Sequence, residues 1–189
     1  MEVRRKQRML RTAAAVGVLL VVLGSAEATP VIEVGTHNLL PDRAGQVIRI
    51  SVTGGDPVQG LELNAQIQDG SSGPIFEDAD ILTGTIFAGN NLGLFAGGYI
   101  DPRRLYVGLV TQTGSVDANG LIAILTVRTT GLYGGTYALS LTNSLEGTTN
   151  FAGAAASITE GTIVIVPEPA VLALLAAGAA VLLRRRGRK

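Results

Sequence analysis

The sequence predicts an all-β domain, a single β-sandwich of jelly-roll type, set between two targeting segments. Apolar and polar residues alternate with a period of two through several runs, and glycine-rich turn sequences separate those runs. Charge is scarce: between residues 29 and 166 there are five arginines, no lysine and twelve acids, a net of −7. That balance excludes a basic nucleic-acid binder, which needs cations to neutralise phosphates. The chain has 189 residues and no cysteine, so disulfides, thiolate chemistry and Cys-ligated metals are also excluded.

Taken in chain order, the first element is not part of the domain. Arg4, Arg5, Lys6, Arg8 and Arg11 precede a short apolar run, Thr12 to Leu23, which ends in Gly24-Ser25-Ala26-Glu27-Ala28. A basic stretch, a short apolar run and an A-x-A ending are the pattern of a secretory signal peptide cut after Ala28. The run is too short for a permanent span, which takes about 20 apolar residues. Signal peptidase is the implied partner, with Ala26 and Ala28 at the cleavage site.

Residues 29–165 form the predicted domain, enough chain for one core and too little for two. Ile48, Ile50 and Val52 alternate with Val47, Arg49 and Ser51. In Leu61-Glu62-Leu63-Asn64-Ala65-Gln66-Ile67-Gln68 every odd position is apolar and every even one polar, which predicts a strand with one dry and one wet face. Arg104–Val110 and Leu121–Val127 are partly apolar on both faces, as in central strands, and Tyr137, Leu139 and Leu141 alternate again. Gly54-Gly55-Asp56-Pro57, Asp69-Gly70-Ser71-Ser72-Gly73, Asp117-Ala118-Asn119-Gly120 and Gly134-Gly135 lie between the runs as turns. Only Phe76–Asn91 departs from the pattern, and Glu77-Asp78-Ala79-Asp80 is expected to cap a short helical turn there.

At the C-terminus, residues 166–189 fall into three parts. Val166-Pro167-Glu168-Pro169 leads into fourteen uncharged residues, Ala170 to Leu183, followed by Arg184-Arg185-Arg186-Gly187-Arg188-Lys189. As a helix the fourteen span about 21 Å, short of the ~30 Å hydrocarbon core. Snorkelling arginines and local thinning close that gap, giving a short transmembrane helix adequate for a transient stop. The basic tail stays cytoplasmic by the positive-inside rule. The two prolines keep the tripeptide extended and accessible.

This tail resembles the PEP-CTERM sorting signal of exported bacterial proteins, carried here by Pro167, Glu168 and Pro169, the apolar stretch, and Arg184, Arg185 and Arg186. The resemblance implies processing by an exosortase-type membrane protease. The central domain resembles the cohesin-type fold, a nine-stranded jelly roll. Ala44-Gly45-Gln46-Val47-Ile48-Arg49-Ile50-Ser51-Val52 is similar to that family's second strand, and Val58 to Leu63 follows as the third. Asp117-Ala118-Asn119-Gly120-Leu121-Ile122-Ala123-Ile124-Leu125-Thr126-Val127 is similar to a later one. No dockerin repeat is present in the chain.

The search for chemistry returns few candidates. His37 is the lone histidine and no G-x-S-x-G elbow accompanies it, so it is expected in a surface loop at a strand end, outside any catalytic relay. No catalytic residue and no cofactor site is assigned. Glu77, Asp78 and Asp80, with Asp69 near them, are weak candidates for calcium or for the paired carboxylates of a glycoside hydrolase. A solvated acidic loop is the plainer reading. The chain has no Trp, and its other aromatics are expected mostly in the core; Leu92 to Tyr99 is the one stretch where a ring would sit on a glycine-rich loop.

The function these readings support is an exported, non-catalytic envelope or extracellular-matrix protein with a structural or adhesive sandwich. The alternative is a module binding carbohydrate or protein, with an extracellular polysaccharide or a matrix protein as partner. A secreted hydrolase ranks third.

Overall fold

A computed structural model describes residues 28–94 and 99–167. The signal-peptide residues through Glu27, the Phe95–Gly98 part of the glycine loop, and the tail from Glu168 onward lie outside the described residues. No helix among the described residues is long and apolar enough to cross a membrane.

Among the described residues twelve strands run in chain order: β1 (Val31–Glu33), β2 (Thr36–Leu39), β3 (Gln46–Thr53), β4 (Gly60–Ile67), β5 (Ile75–Asp80), β6 (Tyr99–Asp101), β7 (Arg104–Val110), β8 (Gly120–Arg128), β9 (Gly135–Ser140), β10 (Asn150–Ala152), β11 (Ser157–Thr159) and β12 (Gly161–Ile165). They form two sheets. One has the order β11-β1-β3-β8-β5; the other has the order β2-β12-β9-β4-β7-β6, with β10 also on β4.

The alternating runs are what let the sheets face each other. Ile48, Ile50 and Val52 of β3 and Leu125 and Val127 of β8 point inward from the first sheet, fully buried. Leu61, Leu63, Ala65 and Ile67 of β4 and Leu105 and Leu109 of β7 meet them from the second. Full burial of such side chains stabilises the fold by roughly 1.5–3 kcal/mol each. Phe76, Phe87 and Phe151 join the same core.

The strand count exceeds nine because two segments change sheets and the short β10 adds to β4. The chain from Val31 to Leu39 gives β1 to the first sheet and β2 to the second, and the chain from Ser157 to Ile165 divides in the same way into β11 and β12. The two segments run parallel and cross together. At the crossing Val34 N–H donates to Thr159 O (3.1 Å) and Thr162 N–H donates to Gly35 O (2.9 Å). Gly35 has φ +78°, open to glycine at no steric cost. A Cβ on Gly161 would lie 2.3 Å from Val34 Cγ1 and 2.6 Å from Gly35 O, so the two backbones pass too closely for any side chain.

Three expectations are corrected. Glu77-Asp78-Ala79-Asp80 does not begin a helical turn: these residues lie in β5, where a register shift between Phe76 and Asp78 leaves Glu77 as an extra residue. A bulge of this kind breaks two-residue alternation, which is why the run departs from the pattern. His37 is not in a loop; it lies in β2, paired with Ile163 of β12. Asn64, at a polar position of the most regular run, is fully buried.

Candidate functional site

The inward turn of Leu61, Leu63, Ala65 and Ile67 sends Glu62, Asn64 and Gln66 to the outer side of β4. Their cross-strand partners share that side: Gly108 opposite Glu62, Tyr106 opposite Asn64, and Arg104 and Ser140 flanking Gln66. The band continues across β9, β12 and β2. Thr162 lies between Thr36 and Ala138, and Val164 lies between Asn38 and Thr136, while Ile163 and Ile165 of the opposite parity are buried. The result is a broad outer face with no charge at any outward position on β2, β12 or β9. Hydroxyls and amides there offer donors and acceptors whose desolvation costs far less than that of ions.

The face has relief at one place. A depression of about 220 Å³ opens between β4, β7 and β10, lined by Glu62, Val110, Asn150 and Ala152 among others. Beside it β9 leaves β4 and β10 replaces it, the chain making a detour through residues 141–149. Thr149 fills the break in the ladder. Asn64 N–H donates to Thr149 Oγ1 (3.0 Å), the Thr149 hydroxyl donates to Asn64 O (2.9 Å), and Thr149 N–H donates to Leu141 O (2.9 Å). A side chain thus completes a backbone pair in the middle of the sheet, which is why Asn64 and Thr149 are both buried. Asn64 Nδ2 donates to Thr148 O (3.4 Å), and its Oδ1 has no hydrogen-bond partner. Glu160 anchors the other side of the detour, accepting from the Ser140 hydroxyl (2.9 Å) and from the amides of Leu141 (2.7 Å) and Thr142 (2.9 Å). Neither Thr149 nor Glu160 carries a sequence signal, because each acts on a strand far away along the chain.

The acidic candidates do not converge. Glu77 accepts from Gly45 N–H (2.9 Å) and lies 3.5 Å from Arg128 Nε. Asp78 accepts from the amide of Ala79 (2.8 Å). Asp80 accepts from the amides of Leu82 (2.8 Å) and Thr83 (2.7 Å) and from the Thr83 hydroxyl, closing the turn that follows β5. Partial burial raises the Asp80 carboxyl, but the Thr83 and Leu82 donors outweigh it and hold the group below the usual carboxylate range. Asp69 is separate, accepting from the hydroxyl (2.6 Å) and amide (2.9 Å) of Ser71, which lower its pKa. Among the described residues no three of His, Cys, Asp and Glu form a group able to hold a metal.

His37 Nε2 donates to Val34 O (2.7 Å), so that nitrogen holds a proton in place and is not free to act as a base. Of the aromatics, Phe76, Phe87 and Phe151 are buried and Tyr133 is exposed. A larger cleft of about 350 Å³ lies at the opposite end of the sandwich from Val166, lined by Thr29, Pro30, Asp56, Pro57 and Gly153 among others; Asp56 is its one titratable side chain. Of the sorting residues, Ala28 is exposed and Pro167 half-buried; Ala26, Glu168, Pro169, Arg184, Arg185 and Arg186 lie outside the described residues.

The two-sheet sandwich is similar in fold to cohesin modules, the fold the sequence resemblance implies. No family model matches the chain, and no curated protein matches it. Solved structures do. The sixth cohesin of scaffoldin B from Acetivibrio cellulolyticus, solved in complex with a Cel5 dockerin, is 16% identical with a TM-score of 0.52, covering 75% of this chain and 100% of that one. The third ScaC cohesin of Acetivibrio cellulolyticus, in complex with a ScaB dockerin, has a TM-score of 0.55 at 11% identity, covering 73% and 99%. A non-cellulosomal cohesin from the hyperthermophilic archaeon Archaeoglobus fulgidus is 17% identical with a TM-score of 0.51, covering 77% and 96%. At these identities the likeness is one of fold.

Proposed function

We propose that this chain is an exported, non-catalytic module in which the sandwich has a structural or adhesive role, holding a protein partner on the outer face of the seven-stranded sheet. The observation that carries the reading is that broad face, uncharged from β2 to β9, on a fold shared with modules solved holding dockerins. A protein partner is favoured over a polysaccharide because modules of this fold were solved holding dockerins, while Phe76, Phe87 and Phe151 are core residues out of reach for stacking on sugars.

The domain division goes with this reading: residues 1–28 as a signal peptide, 29–165 as the sandwich, and 166–189 as the sorting segment. Signal peptidase would cut after Ala28. An exosortase would read Pro167-Glu168-Pro169 while residues 170–183 hold the chain in the membrane, with the arginines on the cytoplasmic side. Delivery is then to the cell envelope or the extracellular matrix.

Two experiments test the two halves. The size and membrane partition of the product in hosts with and without an exosortase tests the tail; identical products would reduce it to a plain anchor. Affinity capture from matrix extract, run beside a glycan array, tests the ligand class. Capture of a defined protein with an empty array is the expected result, and strong array signals with no protein captured would overturn it.

A further inference from the structure

We propose that the end of the sandwich from which the C-terminal tail leaves is a lipid-docking surface, seated on the bilayer outer leaflet while the chain is anchored. This rests on the reading of residues 170–183 as a membrane segment.

The end is built from three pieces of chain. Val166 N–H donates to Leu39 O (3.0 Å), Asp42 N–H donates to Leu132 O (3.0 Å), and the Thr129 hydroxyl donates to Leu40 O (2.7 Å). These bonds gather the 40–45 and 129–134 loops around the end of β12. Three large apolar side chains stand exposed on it: Leu40 at 41%, Tyr133 at 71% and Val166 at 43%. Val47 is exposed one residue beyond Gln46, whose Nε2 donates to Leu40 O (3.0 Å). Exposed apolar residues grouped on one surface indicate a partner, where single ones do not.

Two further observations choose lipid as that partner. The first is reach. Four residue steps separate Val166 from Ala170, at most about 14 Å of extended chain, so an anchored tail holds this end near the headgroups whatever the domain does. The second is charge. Arg43, Arg103, Arg104 and Arg128 lie at this end with Asp42, Asp69, Glu77, Asp78 and Asp101, a net of −1. A net of −6 belongs to the rest of the domain, so this end meets an anionic surface with little repulsion while the remainder is turned away from it. A tyrosine at the rim suits the interface, with an apolar ring and a polar tip.

The chain has no tryptophan, so one introduced Trp reports alone. Full chain recovered from membranes of exporting cells is reconstituted in phosphatidylethanolamine–phosphatidylglycerol vesicles with brominated acyl chains. Two variants are compared: Tyr133→Trp, and Leu145→Trp, exposed on the 141–149 detour that opens beside the middle of β4. Both should float with the vesicles. Tyr133→Trp should shift to the blue and be quenched about twofold, as expected of a ring at the acyl boundary, while Leu145→Trp is unaffected. Adding Leu40→Asp and Val166→Asp should abolish the quenching and leave flotation intact. Flotation with no quenching at position 133, or equal quenching at both positions, overturns the docking surface and spares the anchor. A chain that does not float overturns the anchor reading, and the docking surface with it.

Discussion

Replacing Thr149 by valine tests whether one hydroxyl holds the seven-stranded sheet together where β9 gives way to β10. The substitution keeps the shape and removes two hydrogen bonds, those to Asn64 N–H and Asn64 O. Asn64 is 0% and Thr149 2% exposed, so water cannot replace the lost partner. Each buried group left unpaired costs about 1–3 kcal/mol, and with some local relaxation the pair should cost about 3 kcal/mol. For a domain of this size that lowers the melting temperature by roughly 10 °C. Thr149→Ser keeps the hydroxyl and loses a methyl group, so it should stay within about 1 kcal/mol of the parent. Urea unfolding with a common slope, checked by thermal melting, measures both. A Thr149→Val loss below about 0.5 kcal/mol, or a serine variant as unstable as the valine one, would refute the bridging role.

The remaining expectations are shorter. Gly161→Ala should cost about 3 kcal/mol or prevent folding, because its Cβ meets Gly35 O as well as Val34 and neither backbone can yield; chemical denaturation decides it. Asp80 and Asp69 have folded pKa values below the unfolded value of about 3.9. Their contribution is therefore present above that pH and lost as pH falls through the folded values, so melting temperature should drop below about pH 4. Asp80→Ala should cost about 1 kcal/mol at neutral pH and soften the acid limb in a pH series. Millimolar calcium should leave the melting temperature unchanged, since Glu77 and Asp80 are turned to different stretches of backbone; a rise on calorimetry would revive the site.

The sequence revealed the sandwich wherever one face of a strand is dry and the other wet. Leu61 to Gln68 became β4 with its apolar residues inward, and Ile48, Ile50 and Val52 became the buried side of β3. It failed where a local irregularity hid the period. Glu77, inserted as a bulge, made a strand look like an acidic helix cap, although Asp80 does cap a turn just beyond it. It failed again where pairing is remote. The parallel pairs β1 with β11 and β2 with β12 join residues more than a hundred positions apart, and nothing near His37 announces Ile163. Asn64 is the clearest case. Its polarity predicted a solvated side chain, yet it is fully buried, beside a threonine 85 positions away that pairs with its backbone. The binding face was legible only as polar parity; its breadth and lack of charge depend on which strands lie side by side.

If the outer face of the seven-stranded sheet holds a protein, charges placed on that face must weaken the complex. Thr136→Arg with Ala138→Arg places two charges on exposed positions of β9, while Arg49→Glu alters the opposite outer face on β3. Binding of the protein captured by the parent domain should be measured by calorimetry, with melting temperatures checked for equality. The account predicts that the β9 pair weakens binding at least about tenfold, a loss of 1.4 kcal/mol or more, and that Arg49→Glu leaves it unchanged. Undiminished binding by the β9 variant, or loss with Arg49→Glu alone, would contradict it.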